Sequence, residues 1–131
     1  MMTGQKILVA EDDAVTRQLL EFKLKQLGCT VVSARDGEEA MKLAQEEKPG
    51  LIILDCLMPV IDGFEVLRRL KESPELRKIP VLMLTVKAKD NDIVTCLELG
   101  AEDYMTKPFS PAELMARVRK ILRLPAGPGG R

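Results

Sequence analysis

The stretch Leu51–Gly63 reads LIILDCLMPVIDG. Its first four residues are all apolar, which suits a short strand covered on both faces. A carboxylate, Asp55, follows them directly. An ionised acid is costly to bury without partners. Asp55 must therefore sit where the strand leaves the core, or the rest of the chain must supply groups that hold it.

Working outward, the same grammar repeats. Four further β-type segments, KILVA (6–10), CTVVSA (29–34), VLML (81–84) and a short one around Asp103–Thr106, alternate with helix-type segments. The first helix is predicted to bury Val15, Leu19, Phe22 and Leu27, with Gly28 at its end. Asp36 and Glu39 form a capping-box pattern ahead of Ala40, Leu43 and Ala44, and Pro49-Gly50 stops that helix. Phe64, Val66, Leu67 and Leu70 mark a third helix closed by Ser73-Pro74, and Ile93, Val94 and Leu97 centre a fourth that ends at Gly100. Ser110-Pro111-Ala112-Glu113 starts a fifth, whose stripe is Leu114, Val118, Ile121 and Leu122. Strict strand–helix alternation with short connections predicts a parallel sheet with helices on both faces.

Composition narrows the chemistry. The 131 residues suit one domain, and 46% are hydrophobic, enough for a core. Twenty basic residues balance twenty acidic ones, so no net charge draws the chain to nucleic acid or an anionic membrane. No apolar run is long enough to span a bilayer, and MMTGQK lacks a signal-peptide core. The odd, scattered Cys29, Cys56 and Cys96 predict reduced, buried thiols and a cytoplasmic location. There is no histidine, which removes Ser-His-Asp and Cys-His catalysis and most zinc chemistry.

In an open parallel sheet, ligands bind beyond the carboxyl ends of the strands. After the first strand come Glu11, Asp12 and Asp13; after the third, Asp55; after the fourth, Thr85; after the fifth, Lys107-Pro108. If these strands are neighbours, carboxylates, a hydroxyl and an ammonium meet on one rim. Close carboxylates repel and call for a cation, and an all-oxygen ligand set suits Mg²⁺ or Mn²⁺. Such a rim fits phosphoryl transfer, with Asp55 as nucleophile and Mg²⁺ and Lys107 offsetting charge on the transferring oxygens. Singly, each residue has a plainer reading: Asp13 as a helix cap, Thr85 as a loop hydroxyl, Lys107 as a solvated lysine. The weight lies in the combination.

KILVAEDD, LIILDCLMPVIDGFEVLRRL, IPVLMLT, GAEDYMTKPF and SPAELMARVRKILR together resemble the receiver domain of two-component response regulators, over residues 5–124. Residues 125–131 read as a flexible tail or the start of a linker. The resemblance implies a flavodoxin-like (βα)5 sheet of order 2-1-3-4-5. It implies that Asp55 is the phospho-acceptor, and that Mg²⁺ is held by Glu11, Asp12, Asp55 and the backbone carbonyl of Leu57. Thr85 and Lys107 would bind phosphoryl oxygens, and the Lys107–Pro108 bond would be cis, an isomer that proline makes accessible. Phosphorylation would draw Thr85 inward and turn the ring of Tyr104, altering the surface of the fourth helix, fifth strand and fifth helix. The donor would be a phosphohistidine on a sensor histidine kinase or phosphotransfer protein. No enzyme activity is implied beyond the domain's own phosphorylation and dephosphorylation.

Two departures refine this. Val86 follows Thr85 where the family usually has a small residue, which predicts narrower access to the acyl phosphate. The C-terminal segment is similar to the transcription-factor branch that dimerises through the fourth and fifth helices, with Glu98–Arg119 and Asp103–Arg117 as candidate cross-dimer pairs. Ile93, however, stands where that branch has a basic partner for Glu113. Output could be that of a stand-alone regulator or of a receiver attached to a DNA-binding segment, and this segment itself is expected to contact no nucleic acid. Other classes fit less well. A phosphatase that works through an aspartyl phosphate usually has a second acid where Leu57 stands, and a flavodoxin-type carrier needs a hydroxyl-rich loop where EDD stands.

Overall fold

The computed structural model describes residues 4–86 and 90–124; the predicted tail lies outside them. Five strands, β1 (Lys6–Ala10), β2 (Thr30–Ala34), β3 (Leu51–Asp55), β4 (Val81–Thr85) and β5 (Asp103–Thr106), form one parallel sheet in the order β2-β1-β3-β4-β5. Between and after them run α1 (Ala14–Gln26), α2 (Gly37–Glu47), α3 (Gly63–Glu72), α4 (Asp90–Glu98) and α5 (Pro111–Leu122). The predicted fold class is borne out.

Side-chain alternation along the strands divides the core in two. Leu8, Ala10, Ile52, Leu54, Val81 and Met83 point to the face covered by α2 and α3, where Val66, Leu67 and Leu70 meet them. Ile7, Val9, Leu51, Ile53, Leu82 and Leu84 point the other way, onto Leu20 and Leu24 of α1 and Leu114 and Val118 of α5. All five residues of β3 are buried, and each such aliphatic side chain contributes about 1.5–3 kcal/mol relative to exposure. LIIL is thus the rigid post on which Asp55 stands.

Caps follow the sequence closely. Asp13, Asp36, Asp62 and Ser110 each accept from the backbone N–H three residues on, at 2.8–3.0 Å, satisfying donors that a helix start leaves open. Gly28 follows the α1 cap with φ +85, the left-handed conformation its position requires. All three cysteines are buried, and none is in a disulfide.

Two stripes differ from expectation. In α1, Val15, Leu19 and Phe22 are 76%, 38% and 58% exposed, whereas Leu20 and Leu24 are buried. The helix carries two apolar rows at i, i+4, i+7, Val15-Leu19-Phe22 and Leu20-Leu24-Leu27, about 140° apart. Periodicity alone cannot choose between them, and packing on Ile7 and Val9 selects the second. In α4 the buried residue is Cys96, while Val94 and Leu97 are about half exposed. Cys96 packs into the same core cluster as Met83, against which Tyr104 also rests.

Candidate phosphoryl-transfer site

The sheet order makes β1, β3, β4 and β5 consecutive neighbours, so the residues at their carboxyl ends share one rim. Carboxylate oxygens of Glu11, Asp12 and Asp55 lie within 4.8 Å of one another. Glu11 is fully buried, Asp55 is 3% exposed and Thr85 is 6% exposed; Asp12 is exposed. Lys107 reaches in from the end of β5, its Nζ 2.7 Å from Glu11 Oε1 and 3.3 Å from Asp55 Oδ2. The Lys107–Pro108 bond is cis, and Lys107 N–H donates to the carbonyl of Thr85 at 2.7 Å.

Electrostatics at the rim are unbalanced. Burial, reinforced by repulsion from Glu11, pushes the carboxyl of Asp55 up to about 7, and Lys107 and the N–H of Leu57 only partly oppose this. Burial works against the charge on Lys107, but Glu11 and Asp55 together outweigh it and hold its ammonium above the usual lysine range. Glu11 Oε1 is buried without an aligned hydrogen bond and has the Lys107 ion pair as its close cationic contact. Three oxygen ligands with one ammonium between them fit a hard divalent cation.

Other groups set this geometry. Arg17 Nη1 donates to the carbonyls of Glu11 at 2.8 Å and Asp12 at 3.3 Å, clamping the acidic turn from the first turn of α1. Nothing in the spacing of Arg17 signalled this. Asp13 stays outside the cluster as the α1 cap, also taking the hydroxyl of Thr16 at 2.7 Å, which is the plainer of its two readings. Gly63 N–H donates to the carbonyl of Cys56 at 2.9 Å, and a Cβ at Gly63 would lie 2.1 Å from the carbonyl oxygen of Asp55. The start of α3 therefore seats directly on the strand end that carries Asp55.

Thr85 and Tyr104 occupy one face of the sheet: Met83 pairs with Tyr104, and Thr85 lies two residues beyond Met83. Tyr104 is half-buried against the α2–α3 side of the core. Val86, 57% exposed, borders a cavity with Thr16, Leu19, Lys107, Pro108 and Phe109. The candidate cross-dimer pair Asp103–Arg117 is closed within one chain at 2.6 Å, and Arg117 also holds Glu113 at 3.1 Å. Glu113 thus has a cationic partner on its own helix despite Ile93.

The family model of the response regulator receiver domain matches residues 7–119. The chain belongs to this family. It is 50% identical to the alkaline phosphatase synthesis transcriptional regulatory protein PhoP of Bacillus subtilis, over 92% of this chain and 49% of that protein. It is 40% identical to the phosphate regulon transcriptional regulatory protein PhoB of Pseudomonas aeruginosa, over 98% of this chain and 56% of that one. The chain thus spans about half the length of these curated relatives. Among solved structures, the receiver domain of the sensor histidine kinase PA1611 from P. aeruginosa superposes with a TM-score of 0.84 at 34% identity, covering 92% of this chain and 99% of that one. That structure has a magnesium ion coordinated in its active-site cleft. A receiver domain is a two-component signalling module, and in this chain Glu11, Asp12 and Asp55 cluster on one rim. Among the described residues no helix is long and apolar enough to cross a membrane.

Proposed function

We propose that Asp55 accepts a phosphoryl group from a phosphohistidine on a sensor histidine kinase or phosphotransfer protein, and that the resulting aspartyl phosphate switches the surface formed by α4, β5 and α5. The observation that carries this reading is the placement of Asp55 at the end of a fully buried strand, with Lys107 at 3.3 Å and two further acids within 4.8 Å. One Asp55 oxygen attacks phosphorus as the phosphorus–nitrogen bond of the donor breaks, and the imidazole leaves with that electron pair. The ammonium of Lys107 pairs with a phosphoryl oxygen, and the hydroxyl of Thr85 donates to another. Glu11, Asp12, Asp55 and the carbonyl of Leu57 would hold Mg²⁺, or Mn²⁺, which supplies charge neutralisation when bound.

In the switched state Thr85 moves toward the phosphoryl group, and the shared face with Tyr104 lets the aromatic ring follow it inward. The energy for this is the tighter binding of the aspartyl phosphate by the switched conformation. Homodimerisation through α4–β5–α5 would use Glu98 with Arg119. It would use Asp103 with Arg117 only by exchanging the existing internal pair, so the net contribution of that pair is small. The names of the related regulators favour a transcriptional output over a stand-alone one, with residues 5–124 as the receiver, 125–131 as tail or linker, and a cytoplasmic site of action.

Incubation with acetyl phosphate and Mg²⁺, followed by intact-mass measurement, tests the central step. The wild type should gain the mass of one phosphoryl group and Asp55→Asn none; an equal gain in the variant refutes the assignment. Val86→Ala should widen the mouth beside Lys107 and raise both phosphorylation and hydrolysis rates several-fold. Time courses showing both rates unchanged would remove Val86 from any gating role.

A further inference from the structure

The turn between β1 and α1 must bring together two side chains that an extended chain would separate. Glu11 and Asp12 are consecutive, and consecutive side chains leaving a strand point to opposite sides. One is fully buried and the other exposed, yet their carboxylate oxygens lie within 4.8 Å of each other and of Asp55. The chain bends at Asp12 to allow this. The bend lies beyond the sheet ladder, which reaches only to the bond from Glu11 N–H to the carbonyl of Ala34 at 3.0 Å. It also precedes the helix ladder, which begins where the carbonyl of Asp13 takes Arg17 N–H at 2.9 Å. The carbonyls of Glu11 and Asp12 fall between the two ladders.

Arg17 supplies their partner. Side chains on a helix tilt toward its N-terminus, so a long one near the helix start reaches back past the cap to the chain before it. Nη1 of the half-buried Arg17 donates to the carbonyl of Glu11 at 2.8 Å and to that of Asp12 at 3.3 Å. One nitrogen thus holds two consecutive carbonyls, and with them the bend. The carboxylate of Glu11 is held separately: Oε2 takes Asp13 N–H at 3.1 Å, and Oε1 faces Lys107. An electrostatic purpose does not explain the arrangement, because the guanidinium bonds main-chain oxygens and its charge repels any cation brought to the same acids. What Arg17 gives the site is shape.

Shape matters differently to different cations. Mg²⁺ requires near-ideal octahedral geometry at short distances, whereas Ca²⁺ accepts a larger and more variable set of oxygens. A fixed bend serves the first. A bend that can open, freeing two carbonyl oxygens that are themselves hard ligands, serves the second. We propose that Arg17 is a positioning residue for the divalent cation, and that by holding the carbonyls of Glu11 and Asp12 it sets the preference of this site for Mg²⁺ over Ca²⁺. The inference rests on the Glu11–Asp12–Asp55 cluster being a cation site.

Arg17→Met tests it, since methionine keeps an unbranched apolar stem and removes the donors. Amide-shift NMR titrations of the 131-residue chain with Mg²⁺ and with Ca²⁺ give the two affinities, and urea titration in EDTA establishes that the variant is folded. Expected is a Mg²⁺ affinity about tenfold weaker, as for loss of a group that orients metal ligands, with the Ca²⁺ affinity almost unchanged. An unchanged Mg²⁺ affinity overturns the proposal. Tighter binding of both cations overturns it in favour of simple charge repulsion, and equal weakening of both in favour of general loosening. If the methionine variant does not fold, Arg17→Lys decides by the same ratio: a lowered preference for Mg²⁺ supports the proposal, and the wild-type preference overturns it. A wild type that binds neither cation sinks the cation-site reading and this inference with it, whereas wild-type binding with an unaltered variant sinks this inference alone.

Discussion

Asp55→Asn should unfold at a higher temperature than the wild type in metal-free buffer at pH 8, and the difference should shrink as the pH falls toward 4. Burial and Glu11 raise Asp55 from the ordinary carboxylate value of 3.8 to about 7 in the folded chain. Between those values the folded state binds more protons than the unfolded state, so stability falls as pH rises through this window and levels off above it. Below 3.8 the penalty is absent, because Asp55 is protonated in both states. A shift of this size corresponds to about 4 kcal/mol at full strength. Water entry and side-chain relaxation at a rim position lower the expected gain to roughly 1–3 kcal/mol, about 3–5 °C per kcal/mol in a domain of this size. Mg²⁺ should raise the wild-type midpoint with concentration and do so far less for Asp55→Asn, because ligand binding to the folded state alone stabilises by mass action. Calorimetry across pH 4–8 with and without Mg²⁺ separates these effects. A difference between variant and wild type that does not change with pH would show that the rim does not strain Asp55.

Gly63→Ala should destabilise the domain by about 2–4 kcal/mol and slow its phosphorylation as well. The added Cβ would lie 2.1 Å from the carbonyl oxygen of Asp55 and 2.8 Å from Cα of Cys56. Both obstacles are backbone, so neither can rotate away. The start of α3 must back off, which weakens the 2.9 Å bond from Gly63 N–H to Cys56 and tilts Asp55 beside it. Gly50→Ala is the comparison variant: its nearest obstacle is the end of the Gln5 side chain at 2.6 Å, a flexible group rather than backbone. Urea denaturation of both variants, with acetyl phosphate labelling under conditions where each is fully folded, is the measurement. Equal stabilities for the two alanine variants would show that the α3 start is softer than its packing indicates.

Most of the site was legible because it rests on order along the chain. A carboxylate after β3, acids after β1, Thr85 after β4 and Lys107 after β5 need only the parallel-sheet rule to become neighbours. The helix caps were legible for the same reason, since Asp13, Asp36, Asp62 and Ser110 act within three residues of themselves. What escaped was rotation and approach. Two apolar rows on α1 carry equal periodic signal, and only the sheet beneath chose Leu20 and Leu24 over Val15, Leu19 and Phe22. Arg17 gave no sign that its guanidinium would hold the carbonyls of Glu11 and Asp12. The pair Asp103–Arg117, a candidate for bridging two chains, also meets within one chain.

By itself the amino-acid sequence determined the alternation of elements, the chemistry at each strand end and the absence of any histidine to supply the phosphoryl group from within. These depend on local preference and residue type, which the chain carries without folding. Only the tertiary structure decided which helix faces are buried and how closely Gly37 and Gly63 must approach their neighbours. Those depend on distances between segments far apart in the chain, set by close packing of the whole domain. LIILDCLMPVIDG is where the two meet: a strand whose composition predicts burial, ending in an acid whose partners come from every neighbouring strand.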